Sequence, residues 1–350
     1  MQIYVRKRLY GFLRKEGKMP PIVTAILLLI VGFVMLIKGA DWFVDGAAGV
    51  AGKAKIPQLV IGLTVVAFGT SAPELAVSLS SAASSGGIAL GNVVGSNITN
   101  ILLILGLSAI FTALPVGGSL KKIDFPFLLG VSALFVLFIW TGDTLESWEG
   151  IVLAALLVGY TVFLILNALS RKKKGLIEPE EEEEVPTEGF GAWYAKMKEK
   201  VWFLLILLVV GLAMVVGGGV LAAENAEIIA IELGVDEKVI GLTVVAIGTS
   251  LPELVTSVTA AVKGKTDIAV GNIVGSNIFN ILMVAGLSAA ILPISGSSKF
   301  MVDGIIALGA AGLLAGLGYL KGNKINRVGG IILLVGFVAY YVYLFVSTFA

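Results

Sequence analysis

Two glutamates stand inside long apolar runs, Glu74 in VIGLTVVAFGTSAPEL (residues 60–75) and Glu253 in VIGLTVVAIGTSLPEL (residues 239–254), and neither run holds a basic residue. A charged side chain at the centre of a membrane helix costs about 2.5 to 3.5 kcal/mol on insertion scales, so such residues mark ion paths or proton carriers by default. Two carboxylates balance one divalent cation, and oxygen ligands suit a hard ion such as Ca2+. A pair of protonated, purely structural glutamates is the plainer alternative. Each glutamate follows Gly-Thr-Ser-x-Pro, which adds the hydroxyls of Thr70, Ser71, Thr249 and Ser250. Pro73 and Pro252 lack an amide donor and clash with the carbonyl four residues back, which predicts broken helices near residues 67–70 and 246–249. Carbonyls freed inside hydrocarbon need protein, water or a cation as partner.

A second motif follows each first one, GNVVGSNITNILLILGLSA at residues 91–109 and GNIVGSNIFNILMVAGLSA at 271–289. Ser96 and Asn100 are four apart and share a helix face, as do Ser276 and Asn280, and these four are expected to line the site. Asn92, Asn97, Asn272 and Asn277 are equally open to a structural and a site role. Gly91, Gly95, Gly271 and Gly275 have small-xxx-small spacing suited to close helix packing.

The motifs are copies of one another. The first pair is identical at 14 of 16 positions with an offset of 179, and the second at 14 of 19 with an offset of 180. Apolar runs of helical membrane-spanning length recur ten times, near residues 21–46, 57–84, 88–114, 124–140, 150–169, 201–223, 238–262, 268–292, 301–320 and 328–349. Five spans separate equivalent positions, so the copies cross the membrane in opposite senses. The expected fold is an all-α polytopic membrane protein with ten transmembrane helices in two inverted-topology five-helix repeats, residues 21–170 and 201–350, with the site between them. Residues 171–200 carry Lys172 to Lys174 and five consecutive glutamates from Glu180, a charged linker expected to be solvated and disordered. Its contiguous glutamates lack the spacing of a calcium-binding EF-hand loop.

Positive loops stay in the cytoplasm. Lys53, Lys55, Lys121, Lys122, Lys263, Lys265, Lys321, Lys324, Arg327 and the linker's basic residues all fall on one side, which places the linker in the cytoplasm and the C-terminus outside. The basic N-terminal tail, residues 1–20, opposes this, and a translation start at Met19 would remove the conflict. Asp41, Asp45, Glu224, Glu227 and Glu232 lie near the ends of the first and sixth spans, where they are interfacial or form an acidic vestibule that concentrates cations.

Composition closes other routes. Of 350 residues 57% are hydrophobic and 14% charged, too apolar for a soluble domain. With no cysteine and no histidine, disulfides, thiolate metal sites, thiol nucleophiles, histidine triads and histidine proton relays are excluded. A net charge of +1 without a basic face gives no reason to expect nucleic acid. No cofactor and no obligate protein partner is expected; the partners are ions and the lipid bilayer. An intramembrane hydrolase lacks a base for its serines, and a cation channel fits paired broken helices less well than an occluding transporter.

With GTSAPEL, GTSLPEL, GNVVGSN and GNIVGSN, the chain resembles the sodium/calcium exchangers of the cation/calcium antiporter superfamily over nearly its whole length. The resemblance implies Ca2+ bound by Glu74, Glu253 and the carbonyls of Thr70 and Thr249. It implies Na+ bound by those groups, by the side chains of Thr70, Ser71, Ser96, Thr249, Ser250 and Ser276, and by the carbonyls of Ala67 and Ala246, with Asn100 and Asn280 flanking the centre. Relatives often carry aspartate where Asn280 stands, including potassium-dependent exchangers, and its absence argues against potassium co-transport. The implied activity is not enzymatic: it is Na+/Ca2+ exchange by alternating access in the plasma membrane of a prokaryote. A proton/calcium antiporter on the same scaffold is the nearest alternative.

Overall fold

The computed structural model describes residues 21–82, 86–173, 189–233, 246–320 and 322–349. The N-terminal tail, the five consecutive glutamates and residues 239–245 of the second copy's first motif lie outside them. The chain runs as α1 (Pro21–Ala54), α2 (Gln58–Thr70), α3 (Ala72–Ala82), α4 (residues 86–111), α5 (Leu120–Thr141) and α6 (Ser147–Lys173). After α7 (Gly189–Lys198) come α8 (Val201–Glu232), α9 (Ala246–Thr249), α10 (Leu251–Val262), α11 (Thr266–Ile291), α12 (Met301–Tyr319) and α13 (Arg327–Phe349). Among the described residues eight helices are long and apolar enough to cross a bilayer, the bent pair α2 and α3 supplies another span, and α10 is the described part of the tenth.

Four two-residue strands show how the copies are arranged. β1 (Leu114–Pro115) pairs with β4 (Lys324–Ile325), and β2 (Thr144–Leu145) pairs with β3 (Ile294–Ser295), both antiparallel. The 180-residue offset carries β1 onto β3 and β2 onto β4, so each pair joins the repeats and the two pairs exchange under the repeat operation. Glycine contacts obey the same rule. A Cβ on Gly150 would meet the Gly286 carbonyl oxygen at 2.6 Å, and one on Gly330 would meet the Gly106 carbonyl oxygen at 2.7 Å.

α1 and α8, the first helix of each repeat, pack directly together. Gly32, Gly39 and Gly46 recur every seven residues, and a Cβ at Gly39 would lie 2.8 Å from the Val215 amide nitrogen. Gly32 lies against Gly218 and Ala222 while Gly46 lies against Leu204 and Leu208, so the helices are antiparallel, as inverted repeats require. Without a hydrophobic drive between helices in lipid, such close approach maximises dispersion contact. Both helices outrun their predicted spans, ending at Ala54 and Glu232 instead of 46 and 223. Ala47, Ala48, Ala51 and Asn225 are buried there, so packing continues beyond the apolar run.

The linker also differs from expectation. Arg171, Lys172 and Lys173, expected in the linker, still belong to α6, and residues 189–198 form α7, whose Trp193 and Tyr194 pack edge-on against Phe203 of α8. Aromatic burial against the next helix overrides the polar composition of this part of the linker.

Candidate cation site

The backbone at both Gly-Thr-Ser motifs breaks one residue later than predicted. Ser71 (φ −84°, ψ 1°) and Ser250 (φ −90°, ψ 5°) occupy the sparsely allowed bridge region, and α2 and α3 meet at 40°. Pro73 and Pro252 then fall in the first turn of α3 and α10, where a missing N–H is no loss. The carbonyl of Ala67 is not released by the break: it accepts the Ser71 amide at 3.0 Å, which leaves one lone pair. Ala246 opens α9 and its side chain lies outside the described residues.

Glu74 and Glu253 thereby sit in the first turns of their helices, where the positive dipole end favours a carboxylate. Both are fully buried. The Ser71 hydroxyl donates to Glu253 Oε1 at 3.3 Å, a bond from one repeat to the other. Ser250 reaches Ser96 Oγ at 3.4 Å, and Thr70 Oγ1 lies 3.5 Å from Ser276 Oγ, again across the repeat boundary. Thr249 reaches Asn92 Oδ1 at 3.4 Å.

Asn100 and Asn280 each begin a π-helical turn, Asn100–Leu105 in α4 and Asn280–Ala285 in α11. Such bulges recur at functional positions because they re-aim a side chain within an otherwise continuous helix. Both amides are fully buried, and neither their oxygens nor their nitrogens have a hydrogen-bond partner among the described residues; the same holds for both oxygens of Glu74 and for Glu253 Oε2. Buried polar groups normally carry partners, so this concentration of unmet oxygen is a donor set for a hard cation. Among the described residues no three acidic side chains cluster. Two carboxylates with neutral hydroxyl, amide and carbonyl oxygens are what the centre offers.

The undecided asparagines separate into two kinds. Asn97 donates to the Asn277 carbonyl at 3.3 Å and so fastens α4 to α11, while Asn277 donates to the Ile273 carbonyl at 2.7 Å within α11. Asn92 and Asn272 contact the threonines of the opposite repeat instead. Of the glycines, Gly271 and Gly275 bring α11 onto α2, a Cβ on either lying 2.8 Å from a carbonyl oxygen, of Leu59 and Leu63 respectively. Gly91 faces the Phe300 ring and Gly95 faces open space.

The acidic vestibule is not formed. Because α1 and α8 are antiparallel, Asp41 and Asp45 lie at the opposite end of the pair from Glu224, Glu227 and Glu232. Lys263, one residue past α10, donates to Asp41 Oδ1 at 2.7 Å and also bonds Asp45, which further accepts from Tyr194 at 3.2 Å and Lys198 at 3.4 Å. Burial works against the Lys263 ammonium, but the two aspartates outweigh it and hold its pKa above the usual lysine value. Burial, then Asp45, pushes the Tyr194 hydroxyl up.

A further buried pair escaped sequence reading. Tyr160 donates to Asp124 at 2.9 Å and Tyr340 to Asp303 at 3.2 Å. Aligning the repeats at offsets of 179 and 180 would have matched these residues, a signal hidden by low identity outside the motifs.

The family described as sodium/calcium exchanger protein matches residues 24–166 and 203–346. The chain is 39% identical to CaxA of Alkalimonas amylolytica over 93% of its own length and all of that protein. It is 33% identical to the sodium/calcium exchanger MaX1 of Methanosarcina acetivorans over 93% of its own length and 99% of that protein. It also superimposes on the structure of the sodium-calcium exchanger NCX_Mj soaked with Na+ and Sr2+, with a TM-score of 0.77 and 31% identity, over 92% of this chain and 99% of that one.

Proposed function

The chain belongs to the sodium/calcium exchanger family, and from that premise we propose that this multi-pass cation/calcium antiporter uses Na+ as its counter-ion and carries both ions through one site centred on Glu74 and Glu253. The carrying observation is the meeting of both repeats at these carboxylates, with the Ser71 hydroxyl of one repeat bonded to Glu253 of the other. Ca2+ is taken by the two carboxylates and the carbonyls of Thr70 and Thr249. Na+ uses the same carboxylates with the hydroxyls of Thr70, Ser71, Ser96, Thr249, Ser250 and Ser276 and the carbonyls of Ala67 and Ala246, flanked by Asn100 and Asn280. The hydroxyl-rich lining favours Na+ over H+, since a proton needs no coordination cage.

Shared carboxylates make the ions compete, and competition produces exchange. Three Na+ inward for one Ca2+ outward moves one net charge per cycle, which gains about 2.3 kcal/mol per 100 mV. With positive loops inside, the linker is cytoplasmic and the C-terminus outside, in the plasma membrane of a prokaryote. Purified protein in liposomes loaded with Na+, with K+, or with a pH gradient tests the counter-ion. Calcium uptake driven only by internal Na+ is expected. Uptake driven by the proton gradient with Na+ inert would overturn the sodium assignment.

A further inference from the structure

Each repeat lends an asparagine to the opposite repeat's threonine. The Thr70 hydroxyl lies 3.1 Å from Asn272 Oδ1, and Asn272 Nδ2 donates to Ser257 Oγ at 2.8 Å. The Thr249 hydroxyl lies 3.4 Å from Asn92 Oδ1, and Asn92 Nδ2 donates to Ser78 Oγ at 3.1 Å. Thr70, Asn272 and Ser257 correspond to Thr249, Asn92 and Ser78 under the repeat offset, so the same Thr–Asn–Ser chain is built twice, each time crossing the repeat boundary. Ser257, Asn272, Thr70 and Ser78 are buried.

A hydroxyl has one proton. That of Thr70 has several acceptors within reach: Asn272 Oδ1, the Val66 carbonyl at 3.1 Å, the Ala67 carbonyl at 3.4 Å, Ser276 Oγ at 3.5 Å and the Glu253 carboxylate. Directed at a carbonyl, it occupies a lone pair on the very backbone that Na+ would use. The Ala67 carbonyl already holds the Ser71 amide, so its remaining lone pair is at stake. Directed at Asn272, the proton leaves both carbonyls and the hydroxyl's own lone pairs open to a cation. The serine decides which face the amide presents: by accepting from Nδ2 it turns Oδ1 towards the threonine.

We propose that Asn272, oriented by Ser257, is a positioning residue that draws the Thr70 hydroxyl proton away from the backbone carbonyls and so sets the affinity for Na+ relative to Ca2+, with Asn92 and Ser78 its repeat-related counterparts at Thr249. This rests on the sodium reading above. Ca2+, held chiefly by the two carboxylates, depends less on those carbonyls.

Wild type, Asn272→Leu, Ser257→Ala and Ser257→Thr are compared in proteoliposomes for the half-saturating concentrations of Na+ and Ca2+ and for turnover at saturation. Sodium-driven uptake by wild type is measured first; its absence sinks the sodium reading and not the geometry. Losing one hydrogen bond is worth about 1 kcal/mol, or about fivefold. Half-saturating Na+ is expected to rise about fivefold in Asn272→Leu and in Ser257→Ala, with Ca2+ changed less than twofold and Ser257→Thr restoring wild-type behaviour. Ser257→Ala removes a single oxygen and serves where Asn272→Leu does not fold. Equal shifts for both ions, a fall in turnover alone, or wild-type Na+ affinity in Ser257→Ala would overturn the proposal.

Discussion

At the residue scale, Glu74 and Glu253 contribute two charges, and everything around them contributes oxygen without charge. Replacing either by glutamine keeps the shape and removes half the negative charge, so Glu74→Gln and Glu253→Gln should each lower exchange at least about a hundredfold while leaving membrane insertion intact, as expected for a lost charge-pairing group in a dry site. Near-normal flux in both variants would remove them from the site. Asn280 offers a complementary gain. Its amide is buried without a partner among the described residues, so Asn280→Asp adds a charge where a cation's field would be felt and should shift the ratio of Ca2+ to Na+ affinity. An unchanged ratio would make the position mere lining. The carboxylates, hydroxyls and asparagines were readable because a charge or amide is conspicuous in an apolar run. The fate of the Ala67 carbonyl was not, since where a proline-interrupted helix breaks depends on which turn of the next helix receives the ring.

At the element scale, two small-residue seams hold the helices in register. Gly275 lets α11 lie on α2, with a Cβ there falling 2.8 Å from the Leu63 carbonyl oxygen. Backbone cannot yield as a side-chain tip can, so Gly275→Val should cost about 1 to 3 kcal/mol of stability, as is typical of overpacking, and lower the thermal midpoint accordingly. Gly95→Val, at a position facing open space, should leave it unchanged. Lys263 makes a different kind of joint, tying the end of α10 to α1. Lys263→Met leaves Asp41 and Asp45, one turn apart, without that cation and should cost about 1 to 2 kcal/mol of stability, less than a fully buried pair because Lys263 is partly exposed. High salt should narrow the difference between the variant and the wild type. The glycines of both seams were visible as spacing, but their partners were not: nothing in a one-dimensional pattern says that Gly275 meets Leu63 while Gly95 meets nothing. The length of α1 was likewise hidden, because alanines past residue 46 dilute the hydropathy while still burying a helix face.

At the scale of the whole molecule, duplication carries the argument. The offset of about 180 residues, legible in the two motif pairs, predicts inverted repeats, and the exchanged strand pairs and reciprocal glycine contacts fulfil it. What the duplication could not foretell was the helix α7 inside the charged linker, where aromatic packing on α8 outweighs composition. On the proposed reading one site lies between the inverted repeats, so Ca2+ and Na+ should exclude each other there, and exchange is electrogenic when three Na+ pass for each Ca2+. The most direct measurement is calorimetric titration of the purified protein with Ca2+ at several fixed Na+ concentrations. A single Ca2+ per chain is expected, with apparent affinity falling steeply and without saturation as Na+ rises. A second Ca2+ of similar affinity, or Ca2+ binding indifferent to Na+, would contradict a site shared by both repeats and both ions.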